Sequence, residues 1–505
     1  MRRAILLGKT EPIYLTAQIR LIERAAVDDN PRIQLMERAG AAAADIARSV
    51  LGENATRVLV LAGPGNNGGD AYVVARLLKR WFYHVDVVSP GDPTKIVGDA
   101  AAAFTMWQEA GGSISAAIPA DQRYDLVIDG LFGVGLTREI SGAYRKLIAQ
   151  VIELNVPVLA LDIPSGLDSD TGMVKGIALP ARDTVTFIAL KPGLLTRDGP
   201  DYCGNVRVAD LGLAAEEYVG ADGRLLRDVT IKNLLGPRKK NSHKGQFGDV
   251  AIIGGAEGMV GAPLLAARAA LKLGAGRVFA GLVAKDAPNV DPQYPELMLR
   301  EGEEILSLAN IRALVVGPGL GKSVAAKRLL VRAIETDWPL LIDADALTWI
   351  AAEPDLQLAL HNREATTIIT PHPAEAARLL GTLTGNVQND RLAAARELVN
   401  QLHSHVVLKG AGSICITRDG KWHINTSGNP GLASAGMGDA LAGMIAALMA
   451  QGLSAEHAML YGVYLHGAAA DHCVANGVGP IGLTASEVID AARQVINTWV
   501  GHGNQ

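Results

Sequence analysis

The chain has 505 residues, of which 49% are hydrophobic and 20% charged, and its formal net charge is −5 at pH 7. One core rarely grows past roughly 250–300 residues, so two or more domains are expected, and the apolar fraction excludes a disordered scaffold. The acidic balance lacks the basic face that a nucleic-acid polymer or an anionic membrane surface asks for, so neither is expected as a partner.

The opening MRRAILLGKTEP has basic residues and a short apolar run, broken by Lys9 and Glu11 too early for a signal peptide. Thr16–Asp29 and Pro31–Leu51 carry Leu, Ile, Met and Ala at helical spacing, with Pro31 suited to a first helical position. Arg57–Ala62 reads as a buried strand ending in a Gly-rich loop. Ala71–Trp81 and Lys95–Ala110 read as helices, and His84–Ser89, Leu126–Asp129, Val156–Asp162 and Thr184–Ala189 as strands. Apolar runs alternating with amphipathic helices imply a parallel sheet with helices on both faces, and ligands then sit at the carboxyl ends of the strands. Those ends are Gly63–Asp70, Asp129–Thr137, Asp162–Asp168 and Lys191–Leu195.

The pattern loosens between Asp210 and Lys244, and the boundary is placed near Asp222, giving domains over 1–221 and 222–505. Alternation then restarts with strands Asp249–Gly254, Arg277–Gly281, Leu314–Gly317, Leu340–Asp343, Thr367–Thr370 and Val406–Lys409. Ala262–Leu273 reads as a helix and Leu432–Met449 as a long Ala- and Gly-rich one. No stretch reaches the roughly 18–20 apolar residues that span a bilayer, and Ala440–Ala450 is expected to be a buried helix. Cys203, Cys415 and Cys473 form no CxxC pair, so no disulfide framework or structural zinc site is expected, and a reducing cytoplasm fits.

GPGNNGGD (Gly63–Asp70) follows a strand and precedes a helix. Exposed backbone amides at such a turn attract anions, and two Asn and an Asp there favour a polar ligand such as phosphate or ribose over a mere tight turn. It lacks the Lys of a Walker motif and the spacing of a dinucleotide fingerprint. GPGNNGGD, VIDGLFGVGL (Val127–Leu136) and ALDIPSGLD (Ala160–Asp168), in that order, closely resemble the bacterial bifunctional NAD(P)H-hydrate repair enzymes, whose amino-terminal half is the NAD(P)HX epimerase domain. The resemblance covers roughly the first 215 residues. It implies that Asn66, Asn67, Gly68, Gly69 and Asp70 bind the hydrated nucleotide, together with the loop Gly133, Val134, Gly135, Leu136, Thr137, Arg138 and Glu139 and with Asp162. It also implies a potassium ion held by Asn67, Asp129 and Ser165. Hard cations take oxygen ligands, although Asp and Ser at such positions also commonly cap helices. Asp162, after an apolar run, is the candidate acid/base, since partial desolvation raises a carboxyl's pKa toward the useful range. For Lys191 two readings stay open: a positive charge near Asp162 or phosphate, and an ordinary surface lysine. Ala71-Tyr72 follow GPGNNGGD where the family often continues with Gly.

In the second half, Gly436-Met-Gly-Asp439 sets two glycines and a carboxylate at a helix start, where free amides can hold a transferring phosphate and Asp439 can take a proton from an attacking hydroxyl. An Asp there is also often only an N-cap. HKGQFGDVAIIGG (His243–Gly255), GPGLG (Gly317–Gly321), DADAL (Asp343–Leu347), TPHPAEAARLLG (Thr370–Gly381) and KGAGS (Lys409–Ser413) accompany it in order. Together they resemble the ribokinase-like ADP-dependent NAD(P)HX dehydratases from about Asp222 onward. The resemblance implies that Ala262, Gly319, His372 and Asp439 contact the hydrated nucleotide. It gives ADP or AMP to Lys409, Gly410, Ala411, Gly412, Ser413 and Gly438. Read alone, KGAGS is also compatible with a hairpin turn. Where the family commonly has a further Gly and a Thr, this chain has Ala435-Gly-Met-Gly, and Met437 is expected to narrow the anion hole.

The expected fold is α/β throughout, a Rossmann-like three-layer domain followed by a ribokinase-like one. The expected activity is epimerisation of the R and S forms of hydrated NAD(P)H and ADP-dependent dehydration of the S form, giving AMP and phosphate. Mg²⁺ is expected with ADP, although no dedicated ligand set stands out, and the family implies a homo-oligomer of four chains or more. The alternative is a small-molecule kinase of the same superfamily with an amino-terminal nucleotide-binding module.

Overall fold

The computed structural model describes residues 11–502; the opening apolar run lies largely outside them. The chain divides into two compact units that meet at Gly223 and Arg224.

In the amino-terminal unit, seven strands form one sheet: β1 (Arg57–Ala62), β2 (His84–Val88), β3 (Ile114–Ser115), β4 (Leu126–Gly130), β5 (Val158–Leu161), β6 (Asp183–Phe187) and β7 (Asn205–Ala209). Their order is β3-β2-β1-β4-β5-β6-β7, and every pairing is parallel. The order reverses between β1 and β4, which opens a crevice at their carboxyl ends. The helices are α1 (Thr16–Asp29), α2 (Leu35–Val50), α3 (Asn66–Arg80), α4 (Gly98–Glu109) and α5 (Gly142–Leu154). Val58, Val60 and Ala62 of β1 pack in one core cluster, with α1 to α4, and the alternate Leu59 and Leu61 pack in another, with α5. That alternation is the period-2 signature of a strand covered on both faces.

Three helix starts differ from the expected ones. α2 begins at Leu35 and not at Pro31, which sits in the preceding turn. The helical part of Lys95–Ala110 begins at Gly98, behind a short 3-10 turn at Pro93–Lys95. α3 begins at Asn66 and not at Ala71, so Asn66 to Asp70 form its first turn instead of a loop. The reason is packing. A Cβ on Gly68 would lie 2.0 Å from the Gly63 carbonyl oxygen, and one on Gly69 would lie 2.5 Å from Met36 Sδ. These two glycines let the helix close onto β1 and α2.

The carboxy-terminal unit holds β8 (Asp249–Gly254), β9 (Arg277–Leu282), β10 (Met298–Glu301), β11 (Ile311–Val316), β12 (Leu340–Ile342), β13 (Thr367–Ile369), β14 (His405–Leu408), β15 (Ser413–Ile416) and β16 (Trp422–Asn425). Across the sheet they run β16-β15-β14-β13-β12-β11-β8-β9-β10. β10 to β14 and β8 and β9 pair in parallel, whereas β14-β15 and β15-β16 are antiparallel. KGAGS is therefore the turn of a hairpin between β14 and β15. The main helices are α6 (Gly261–Lys272), α7 (Val324–Ile334), α8 (Asp345–Ala352), α9 (Pro373–Leu379), α10 (Met437–Ala450), α11 (Ala455–Ala475) and α12 (Ala485–His502).

α10 replaces the expected Leu432–Met449 helix; Pro430–Leu432 forms a separate 3-10 turn, and Gly436 at φ 83° provides the left-handed entry that a side chain would strain. From Ala440 to Ala450 the helix is buried without a break. A Cβ on Gly443 would meet the Ala266 carbonyl oxygen at 2.0 Å, so α10 and α6 touch backbone to backbone. Among the described residues no helix is long and apolar enough to cross a membrane.

Candidate active sites

In the amino-terminal unit the polar residues collect at the carboxyl ends of β1, β4, β5 and β6. Asp129, at the end of β4, is fully buried. Its Oδ1 accepts from Ser165 Oγ at 2.6 Å and Leu131 N at 3.3 Å, and its Oδ2 accepts from Ser165 N at 2.8 Å. Neither Asp129 nor Ser165 caps a helix. Burial nevertheless pushes the Asp129 carboxyl up to about 6, against those hydrogen bonds.

Asp162 follows β5 with φ 65°, a conformation unusual for a residue with a side chain. Its Oδ2 accepts from Val134 N at 3.1 Å, and its Oδ1 accepts from Lys191 Nζ at 2.7 Å. Lys191 is wholly buried, so the surface reading is excluded. Its other protons go to Thr186 Oγ1 and the Phe187 carbonyl, both at 2.8 Å. Desolvation is thus only part of the Asp162 environment.

Gly133 closes the arrangement. A Cβ there would stand 2.9 Å from Asp162 Oδ2 and 3.4 Å from Asn67 Oδ1, so any side chain would invade the space between them. Asn67 is buried, and neither its Oδ1 nor its Nδ2 has a hydrogen-bond partner. Orphaned amide atoms inside a protein cost free energy unless a ligand meets them. Asp70 is also buried, and its carboxyl is held well above the usual range by burial and by the nearby Asp162 and Glu23 charges. Glu23, on α1, had no motif to reveal it; its carboxyl is likewise raised, by burial and then by Asp162.

The remaining residues divide. Asn66, Gly135, Thr137, Arg138 and Glu139 are exposed, Val134 and Leu136 half-buried, and Gly68 and Gly69 buried in helix packing. A Cβ on Gly135 would meet nothing within 4 Å, so no close approach within the chain requires glycine there.

In the carboxy-terminal unit the parallel strands deliver Gly317–Gly321, Asp343, His372 and Lys409 to one edge. Asp343, just past β12, is buried and accepts from Lys409 Nζ at 2.8 Å. A Cβ on Gly438, in the first turn of α10, would sit 3.2 Å from Lys409 Nζ and 3.4 Å from Asp343 Oδ2. Asp439 is the third residue of α10 behind the Gly436 cap, so it is not an N-cap. Burial, and then the Asp343 charge, pushes its carboxyl up to about 7, although Lys409 works the other way. Burial opposes the charge on Lys409, but Asp343 and Glu375 outweigh it and leave the ammonium strengthened.

His372 caps α9: its Nδ1 accepts from Ala374 N at 3.1 Å and Glu375 N at 3.3 Å, which leaves the proton of the neutral ring on Nε2. Glu375 answers by accepting from His372 N at 2.8 Å, and burial pushes its carboxyl up to about 7. The His372 ring is driven toward neutrality by burial and then by Lys409.

Gly319, at φ 56°, would bring a Cβ to 3.3 Å from Ala262, so these two residues meet. Gly410 and Ala411 are exposed, and Ser413 Oγ donates to the Gly410 carbonyl at 3.0 Å. Met437 is buried in the core.

Asp343 and Glu375 lie inside quoted motifs but carried no expected role, and Arg391 lies outside any motif. The buried Arg391 guanidinium donates to the carbonyls of Leu408 and Lys409 at 3.2 and 3.3 Å, and it fills the space a Cβ on Gly410 would take, 2.6 Å from Nη1. It is a fixed positive charge under the KGAGS turn.

A doubly wound unit with a carboxylate-lysine crevice, followed by a second α/β unit with a polar helix entrance, defines a two-centre α/β enzyme. Residues 32–193 match the model of the YjeF-related protein N-terminus, and residues 250–493 match the model of the NAD(P)H-hydrate dehydratase. The bifunctional NAD(P)H-hydrate repair enzyme Nnr of Coxiella burnetii is 39% identical over 500 residues, covering 96% of this chain and 99% of that one. Its Escherichia coli counterpart is 38% identical over 506 residues, covering 97% and 95%. An ADP/ATP-dependent NAD(P)H-hydrate dehydratase from Bacillus subtilis, co-crystallised with ATP/Mg²⁺, is 30% identical and covers 55% of this chain and 98% of its own, at a TM-score of 0.49. The chain belongs to the family of bifunctional NAD(P)H-hydrate repair enzymes.

Proposed function

We propose that the carboxy-terminal unit dehydrates the S form of hydrated NAD(P)H with ADP as co-substrate, and that the amino-terminal unit interconverts the R and S forms. The observation that carries the first half is Asp439, a carboxyl poised at about 7 beside the Lys409-Asp343 pair. A base is most useful when its pKa lies near the working pH. Asp439 takes the proton of the C6 hydroxyl, and the oxygen attacks the terminal phosphoryl group of ADP, releasing AMP. The phosphate then leaves C6, a better leaving group than hydroxide, and loss of the C5 proton restores the dihydropyridine. Lys409 and the amides of the α10 first turn stabilise charge on the transferring group. Ala262, Gly319 and His372 contact the hydrated nucleotide, and Lys409 to Ser413 with Gly438 hold ADP and AMP.

In the amino-terminal unit Asp162 moves the proton, and Lys191 fixes its orientation. Asn66 to Asp70 and the loop from Gly133 to Glu139 surround the nucleotide. The unpartnered Asn67 amide and the buried Asp129 carboxylate fit a monovalent cation such as potassium, with Ser165 Oγ as a further oxygen. The cation would offset the charge of the buried Asp129 carboxylate. Mg²⁺ would arrive with ADP and neutralise its phosphates; the described residues hold no cluster of three or more His, Cys, Asp or Glu placed as a metal site.

The three cysteines are free and buried, which suits the cytoplasm. A homo-oligomer of four chains or more is the proposed assembly, and sedimentation velocity tests it. The activity test mixes the protein with the NADH hydrate epimers and ADP. Recovery of dihydronicotinamide absorbance with equal AMP and free phosphate is expected. A phosphorylated small molecule in place of free phosphate would mark a kinase, and no recovery would sink the proposal.

A further inference from the structure

The carboxy-terminal unit has a cavity of about 150 Å³ that the proposed reaction leaves unused, lined by Lys322, Asp345, Thr348, Trp349 and Ala352. Its walls are tied to the GPGLG turn. The Trp349 indole N–H donates to the Gly321 carbonyl at 2.9 Å, and Gly321 N donates to Asp345 Oδ2 at 2.9 Å. Lys327 Nζ lies over the indole, 5.8 Å from its centroid, and is itself held by Glu353 at 2.7 Å. The half-buried indole is therefore a fixed, flat wall. Gly321 is two residues past Gly319, which meets Ala262. On the other side Asp345 is near enough for its charge to act on Asp439.

A dinucleotide whose nicotinamide ring is at Asp439 must place two ribose units, a diphosphate and a purine elsewhere. The cavity is an adjoining concave surface with an aromatic wall and an almost wholly apolar lining, which suits the flat faces of a purine base. We infer that the cavity beside Trp349 takes the purine base of the substrate's adenosine half, stacked on the indole, with Lys322 at the rim near the diphosphate. This rests on the proposed dehydration. Stacking on an aromatic side chain needs no sequence-specific hydrogen bonds, so one wall suffices for affinity.

The test compares two substrates on the full-length protein at saturating ADP: hydrated NADH and hydrated reduced nicotinamide mononucleotide, which lacks the adenosine half. Wild type is expected to show a KM about tenfold lower for the dinucleotide. Trp349→Ala should raise that KM about tenfold, leave the mononucleotide KM unchanged and hold kcat within about twofold. Trp349→Phe, which keeps a flat ring but loses the bond to Gly321, should retain most of the preference. Equal KM values for the two substrates in wild type overturn the inference. So does a rise on both substrates in either variant, which marks Trp349 as a support for the GPGLG turn only. Activity of wild type on neither hydrate instead fails the dehydration itself, and the purine site with it.

Discussion

The two carboxylates that face the helix entrance of the carboxy-terminal unit, Asp439 and Glu375, are each pushed up to about 7, first by burial. Asp439 must be ionised to accept a proton, so kcat for the S epimer is expected to fall as pH drops below about 7, which a pH-rate profile at saturating ADP checks. The effect on stability has the opposite sense. The folded-state pKa of Asp439 exceeds its ordinary 3.8, so its contribution to stability is fully present below that value and is lost as pH rises through about 7. Asp439→Asn cannot ionise. It should abolish dehydration and leave epimerisation intact, and it should melt above wild type at pH 8 but with wild type near pH 4. Arg391 acts through the KGAGS turn. Arg391→Met should raise the KM for ADP by roughly tenfold or more, because two carbonyls lose a charged donor. An unchanged ADP KM would make Arg391 a core residue and nothing else. The residues inside recognisable motifs, Asp439 and Lys409 among them, were legible as candidates. Asp343 was legible only as part of DADAL, without its role, and Arg391 not at all, because their partners lie 66 and 17 or more residues away and only the fold brings them together. Lys191 shows the same limit. Nothing local distinguishes a buried lysine from an exposed one until Asp162, 29 residues away, meets it.

At the level of elements, the short apolar strands were legible almost residue for residue: Arg57–Ala62 and Asp249–Gly254 have the bounds expected of them. Helix starts were less so: Thr16 opens α1 as expected, but others are displaced. Gly and Asn are poor helix formers, so propensity sets the start of α3 after Asp70, yet packing against β1 pulls the helix back to Asn66. α11 has no such signal in the sequence, because residues from many of its faces are buried, from Ala458 to Cys473, which erases the one-sided periodicity that marks a surface helix. β15 and β16 are equally faint in the sequence, since a four-residue strand in an antiparallel hairpin lacks the long apolar run of a parallel core strand. Close helix packing carries its own prediction. Gly443→Ala would drive a methyl group into the Ala266 carbonyl oxygen at 2.0 Å, so α10 must shift from α6. The expected cost is at least about 1–3 kcal/mol, read as a lower denaturant midpoint. Dehydration should suffer more than epimerisation, because α10 carries Gly438 and Asp439 at its entrance.

On the scale of the whole molecule, the 56 glycines that stand out in the composition serve two purposes. Some clear space at the sites, as Gly133 does between Asp162 and Asn67, and others let backbones pack closely, as Gly68 does against Gly63 and Gly443 against Ala266. Each unit has its own core clusters and its own polar crevice. If the S epimer is the only species that links the two reactions, the link is a diffusible molecule and the two activities must complement in trans. Asp162→Asn should lose epimerisation and convert only the S share of a mixed hydrate sample, beyond the slow spontaneous interchange. Asp439→Asn should equilibrate the epimers and restore none of the dihydropyridine. An equimolar mixture of the two variants should convert the whole sample, with a lag that shortens as the Asp439→Asn protein is increased. If the mixture converts no more than the S share, the epimerised product does not reach a second molecule, and direct transfer within one assembly takes the place of free diffusion.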